Sequence, residues 1–154
     1  MNVDAKVLAE LNRNIALDLI AVNQYILHAR VLKHHGFASL GKTIYKRSVA
    51  VMKECDEIIE RVLLLSGNPD LQNLGALKIG HNAEEILRCD LDLETRRRAA
   101  LQKAAAVCEE HRDFISRELS AKFLDASEDY GDWLETQLDL ISELGLENYL
   151  QSAV

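Results

Sequence analysis

Apolar residues recur along this chain in steps of three and four, the period of one face of an α-helix. Leu8, Leu11, Ile15, Val22, Ala29 and Leu32 set that rhythm over residues 4 to 35, and Gly36 ends it. A second run, residues 39 to 66, repeats it through Ile44, Val51, Ile58, Val62 and Leu65, with Ser39 as N-cap, Gly67 just past the end and Pro69 beyond. Residues 68 to 81 hold Pro69, Gly75 and Gly80 and are too many for a tight turn, so they read as a crossover that lets the second and third helices run parallel. Asn82 followed by Glu85 has the form of a capping box, and the third helix then carries Leu87, Leu91, Glu94, Leu101, Ala105 and Cys108 on one stripe. The fourth runs from about Asp113 to Leu144 through Phe123, Ser127, Tyr130, Leu134 and Ile141, and Gly145 sets off a short apolar tail, Leu146 to Leu150. The pattern predicts an all-α four-helix bundle with one long crossover, a single domain over residues 1–154.

Charge narrows the partners. Eighteen Lys and Arg against 25 Asp and Glu leave a formal net charge of −7, which argues against nucleic acid and favours cations. No run of about 18 apolar residues stands out as a membrane span, and the opening M-N-V-D-A-K has no signal-peptide pattern, so the expected place is the cytoplasm, away from membrane. Cys55, Cys89 and Cys108 have no C-x-x-C spacing and read as reduced packing thiols.

Some inward positions are polar. Asp18 falls between Ile15 and Val22 on the first stripe, Tyr25 follows it, Glu54 lies one turn after Val51, and Glu94, Ser127 and Tyr130 occupy inward places on the last two helices. A buried ionised carboxylate costs several kcal/mol unless it is paired or binds metal, so facing carboxylates suggest a metal site or its remnant. Tyr45, Val49, Met52, Ile59 and Leu63 form a second apolar stripe on the second helix, and Leu19, Asn23 and Ile26 a matching outward one on the first. A second stripe needs a second partner. Met52, the one methionine after the initiator, offers that partner either a soft metal ligand or a flexible gap-filler. The run Arg96 to Arg98 reads as a solvated face, and His28, His34, His35, His81 and His111 as surface or hydrogen-bonded side chains.

The runs NQYILHAR (23–30), RCDLDLE (88–94) and DWLETQLDLISELGLENYLQ (132–151) resemble the bacterioferritin family, and the likeness covers essentially the whole chain. The resemblance implies a ferritin-like bundle with a short fifth helix, assembled into a hollow shell of two dozen subunits. It also implies a di-iron centre of six ligands, with a Glu-x-x-His pair on the second and fourth helices. Here those pairs are Val51 with Glu54 and Ser127 with Tyr130, Asp18 replaces a glutamate, and Glu94 is kept, so four of the six positions carry the wrong chemistry. Asp18, Glu54 and Glu94 remain as ligands for one hard cation, or are neutralised by Tyr130, Ser127 or Arg47.

In the family a haem b sits between two methionines, one from each of two subunits. The resemblance puts Met52 at that axial position, with Leu19, Asn23, Ile26, Tyr45 and Lys53 around the pocket. The expected function is a haem-binding subunit of an iron-storage shell, without its own ferroxidase activity, that supports electron transfer for iron release. The shell is a homo- or hetero-oligomer in which a ferroxidase-competent subunit oxidises iron and a ferredoxin supplies electrons. Asn68 and His81 differ from the family's ferredoxin-docking types, and Lys46 and Ala50 from its inner-surface groups. The alternatives are an altered but active ferroxidase and a passive shell subunit.

Overall fold

The computed structural model describes residues 3–73 and 75–154. Its helices are α1 (Ala5–His34), α2 (Ala38–Leu64), α3 (Ala83–Glu110), α4 (Phe114–Leu144) and α5 (Leu146–Leu150), with no strand among the described residues. The bundle and the short fifth helix are as the periodicity and the resemblance led us to expect.

The ends of the helices show where local sequence does and does not decide. Gly36, at φ +96°, takes the left-handed position after α1, and Phe37 N donates back to Leu32 O, the closure that glycine makes cheaply. α2 opens at Phe37 with no side-chain cap, not at Ser39 as its sequence suggests; the amide of Leu40 instead donates to Ala153 O at 3.1 Å. At the other end of α2 the left-handed residue is Ser66 (φ +62°), not Gly67. The capping box is real: Asn82 Oδ1 accepts from Glu85 N at 2.9 Å, and Glu85 Oε2 accepts from His81 N at 2.8 Å. Asn82→Ala should therefore cost about 1 kcal/mol and lower the melting temperature by about 2–4 °C in a thermal scan.

α1 packs along α2 and α3 along α4, contact between α1 and α3 joins the two hairpins, and α2 barely touches α4. The core is divided in two. One half gathers Tyr25, Leu32, Ile44, Val51, Ile86, Leu87 and Leu134, and the other Leu11, Ile15, Ile58, Val62, Leu101 and Phe123. α2 and α3 both run from the first half to the second, and are therefore parallel, as the crossover requires. Cys55 and Cys108 are buried in the second half, and burial pushes the Cys55 thiol up to about 12. Neither is a reactive thiolate.

α1 has the length and mean hydropathy of a membrane span, which a search for unbroken apolar runs overlooks. In the bundle half of that apolar window is buried, and its buried face includes Asn14, Asp18, Gln24 and His28, all bonded to other parts of the fold. It is built as a core helix.

Candidate functional site

Between the apolar halves lies a polar waist, supplied by all four long helices. Asp18 comes from α1, Arg47 and Glu54 from α2, Glu94 and Arg97 from α3, and Ser127 from α4, all of them buried. Helical spacing explains the gathering. Asp18 lies on the buried stripe of α1, Arg47 and Glu54 are seven residues apart on that of α2, and Glu94 and Arg97 lie between Asp90 and Leu101 on that of α3.

Arg97 sits at the middle. Its Nη1 donates to Glu94 Oε2 at 2.6 Å and its Nη2 to Asp18 Oδ1 at 3.0 Å, with only 1 % of the residue exposed. Arg47 forms a second, looser pair of contacts, 3.3 Å to Glu54 Oε2 and 3.6 Å to Glu94 Oε2, and its guanidinium carbon stands 5.3 Å from the Tyr130 ring centroid. Glu94 also accepts from Tyr25 OH at 2.8 Å and from Ser127 Oγ at 2.5 Å. Burial works against its ionisation, but Arg97, Arg47, Ser127 and Tyr25 together hold its carboxyl below the usual range. Asp18 and Glu54 are less well served. Burial pushes Asp18 up to about 7 against the opposing pull of Arg97, and burial raises Glu54 against Arg47. Neither oxygen of Glu54 accepts a hydrogen bond from the described residues.

The reading of residues 96 to 98 as a solvated face is corrected at its centre. Arg98 is exposed and pairs with Glu128, and Arg96 is exposed, but Arg97 is among the most deeply buried side chains. The signal was in the spacing, since Arg97 follows Glu94 by three and precedes Leu101 by four, and so shares their face. Of the neutralising groups expected around the carboxylates, Arg47 and Ser127 take part, whereas Tyr130 OH has no hydrogen-bond partner among the described residues.

This donor set does not fit a pair of iron ions. The carboxylate oxygens nearest the centre of the bundle already face two guanidinium groups, Val51 has no lone pair to offer, and a divalent cation would enter beside two fixed positive charges. Among the described residues no three His, Cys, Asp or Glu side chains are grouped to hold a metal ion. What the cluster does chemically is supply its own cations to carboxylates that would otherwise be stranded.

The second candidate lies on the outside of the α1–α2 hairpin. Met52 is 54 % exposed and Ile26 40 %, with Leu19, Tyr45, Val49 and Ile59 half-buried around them and Asn23 and Lys53 exposed. Arg30 lies over the Tyr45 ring at 4.6 Å, and Ser48 Oγ bonds Val22 O at 2.9 Å, tying the two helices together beneath this face. The arrangement leaves a thioether exposed on the same hairpin as several partly covered apolar side chains, a combination open to packing or to soft-metal ligation.

The ferritin-like domain profile matches residues 8–144. A bacterioferritin of Brucella melitensis is 38 % identical over 98 % of this chain and 94 % of its own length. A bacterial ferritin of Pseudomonas aeruginosa is 39 % identical over 97 % of each chain, and one from Synechocystis 40 % identical over 95 % of this chain and 94 % of its own. With that likeness spread along the whole bundle, the chain belongs to the ferritin-like family and, within it, to the bacterioferritins.

Proposed function

We propose that this chain, as one ferritin-like domain, is a haem-binding subunit of a cytoplasmic iron-storage shell that does not oxidise iron itself and serves electron transfer for iron release. Two copies would hold the haem through Met52 of each, with Leu19, Asn23, Ile26, Tyr45 and Lys53 around the pocket. A haem held by two thioethers supplies one-electron chemistry at a raised potential. The chain's own part is to present the sulfur and to wall the porphyrin from water with apolar side chains. Iron oxidation falls to a ferroxidase-competent subunit in the same shell, and a small electron-transfer protein such as a ferredoxin supplies reducing equivalents.

The observation that carries the reading is Arg97, a fixed cation bonded to two of the carboxylates left at the family's iron positions. Stopped-flow mixing of iron(II) and oxygen with the purified chain should show oxidation no faster than in protein-free buffer. A rapid phase with a coloured di-ferric intermediate would refute it. For the haem half, Met52→Leu should remove the haem absorbance of the purified protein while leaving the shell assembled, and undiminished haem would reduce Met52 to packing.

A further inference from the structure

The last turns of α1 and the first turns of α2 enclose a pocket of about 250 Å³, walled by Arg30 and Lys33 of α1 and by Lys42 and Tyr45 of α2. A close backbone approach creates it. A Cβ on Gly41 would stand 2.7 Å from Ala29 O, so a side chain at this position would force the two helices apart. Gly41, Ala29 and Ala38 leave space, and the four longer side chains surround it.

The charge around this space is unbalanced. Arg30, Lys33 and Lys42 reach solvent and none meets a carboxylate among the described residues, whereas the exposed Lys78, Arg88, Arg98 and Lys122 each do. No acidic residue lines the pocket, although the chain has 25 of them and a net charge of −7. Arg30 and Lys33 are one turn apart on α1, a spacing at which like charges repel. Lys33 also lies in the last turn of α1, where a cation suits the helix carbonyls, but that role does not extend to Lys42. α2 has no acidic residue in its first turn and Lys42 just beyond it, the opposite of what its dipole favours. No side chain caps α2, and its amides at Ala38 and Ser39 have no acceptor within the helix. The Arg30 guanidinium already stands over the Tyr45 ring, 4.6 Å from its centroid, so ordering it around a ligand costs little further entropy.

We propose that this pocket binds one small tetrahedral oxyanion of the phosphate class, held by Arg30 and Lys33 from α1 and by Lys42 from α2. A doubly charged anion balances three cations better than a carboxylate does, and the planar fork of Arg30 suits two of its oxygens. The space is smaller than the roughly 300–1,000 Å³ of pockets that hold drug-sized molecules, so it takes the ion with a few waters and no nucleotide. Bound there, the anion ties the end of α1 to the start of α2. Only Tyr45 is common to this pocket and to the residues around Met52, and binding does not depend on haem.

Titration calorimetry of inorganic phosphate into the iron-free, full-length protein, at constant ionic strength, tests the site. One phosphate per chain should bind saturably, and the double variant Lys33→Gln, Lys42→Gln should bind it about a hundredfold more weakly, about tenfold for each charge-assisted contact removed. Both side chains are exposed, so the variant should keep the helical content of the parent chain by circular dichroism. Crystals of the parent chain soaked in arsenate, whose anomalous scattering marks the ion, should show a peak between Arg30 and Lys42 without recourse to any variant. No saturable heat in the parent chain, equal affinity in the double variant, or arsenate found only elsewhere, as an adventitious ion only, would each overturn the proposal. It is overturned equally if the parent chain takes no phosphate and the double variant loses subunit association, since a carboxylate of a second copy would then fill the pocket.

Discussion

Arg97→Met is expected to melt on the order of 10 °C below the parent chain. The guanidinium has almost no contact with water, and both its terminal nitrogens are bonded to carboxylates. Removing one partner from a buried ion pair costs about 3–5 kcal/mol, because the opposite charge is left in a medium that solvates it poorly. Glu94 keeps Arg47, Ser127 and Tyr25, but Asp18 loses its one hydrogen-bond partner among the described residues. Adding Asp18→Asn to the variant should therefore recover part of the loss, with a coupling of about 1–3 kcal/mol in a double-mutant cycle. Arg97→Lys should not rescue, since a point ammonium cannot reproduce a planar fork that bridges two helices. A drop of less than about 2 °C in Arg97→Met, within the effect of an ordinary surface change, would mean that the ion pairs contribute nothing net.

The parent chain should be more stable near pH 5 than near pH 8, the reverse of what a well-paired carboxylate produces. The waist holds Asp18, Glu54 and Glu94 against Arg47 and Arg97, so with every group ionised one negative charge is unmatched. Burial raises Asp18 to about 7 and raises Glu54 as well, so the folded state binds protons on these groups at pH values where the unfolded chain has released them. Their contribution is fully present below the unfolded carboxyl range and is lost as pH rises through the folded value near 7. Between about pH 5 and pH 8 the loss from Asp18 is on the order of 3 kcal/mol per chain. Glu94, held low, works the other way and weakens the fold only in stronger acid. Asp18→Asn removes the unmatched charge while an amide oxygen can still accept from Arg97, so its stability should be nearly flat between about pH 5 and pH 8 and exceed that of the parent at the upper end. Chemical denaturation at several pH values checks both curves; a parent chain that gains stability steadily from pH 5 to 8 would contradict the raised Asp18.

Spacing alone was enough to read the bundle, because each long helix buries a stripe whose period survives the polar interruptions. The crossover was equally legible from Pro69, Gly75 and Gly80. The site was legible in part. Val51, Glu54, Ser127 and Tyr130 stand where the resemblance would place Glu-x-x-His pairs, and Met52 is plainly off the inward stripe. Arg97 was not, because three consecutive arginines look alike in a sequence, and only the angle around the helix separates the one that points inward from the two beside it. His28 was hidden for a different reason. Its partners, Asp90 and the amide of Gly80, are 62 and 52 residues away, and no local pattern announces them. The start of α2 was misplaced on similar grounds, since a serine at position 39 is a good local cap by type, whereas the helix begins one residue earlier and its Leu40 amide is met by a carbonyl 113 residues further along.

That last contact orders events during biosynthesis. Leu40 is translated more than a hundred residues before Ala153, so on the ribosome the first hairpin emerges with this amide open to water, and its partner carbonyl arrives only after all four long helices have been made.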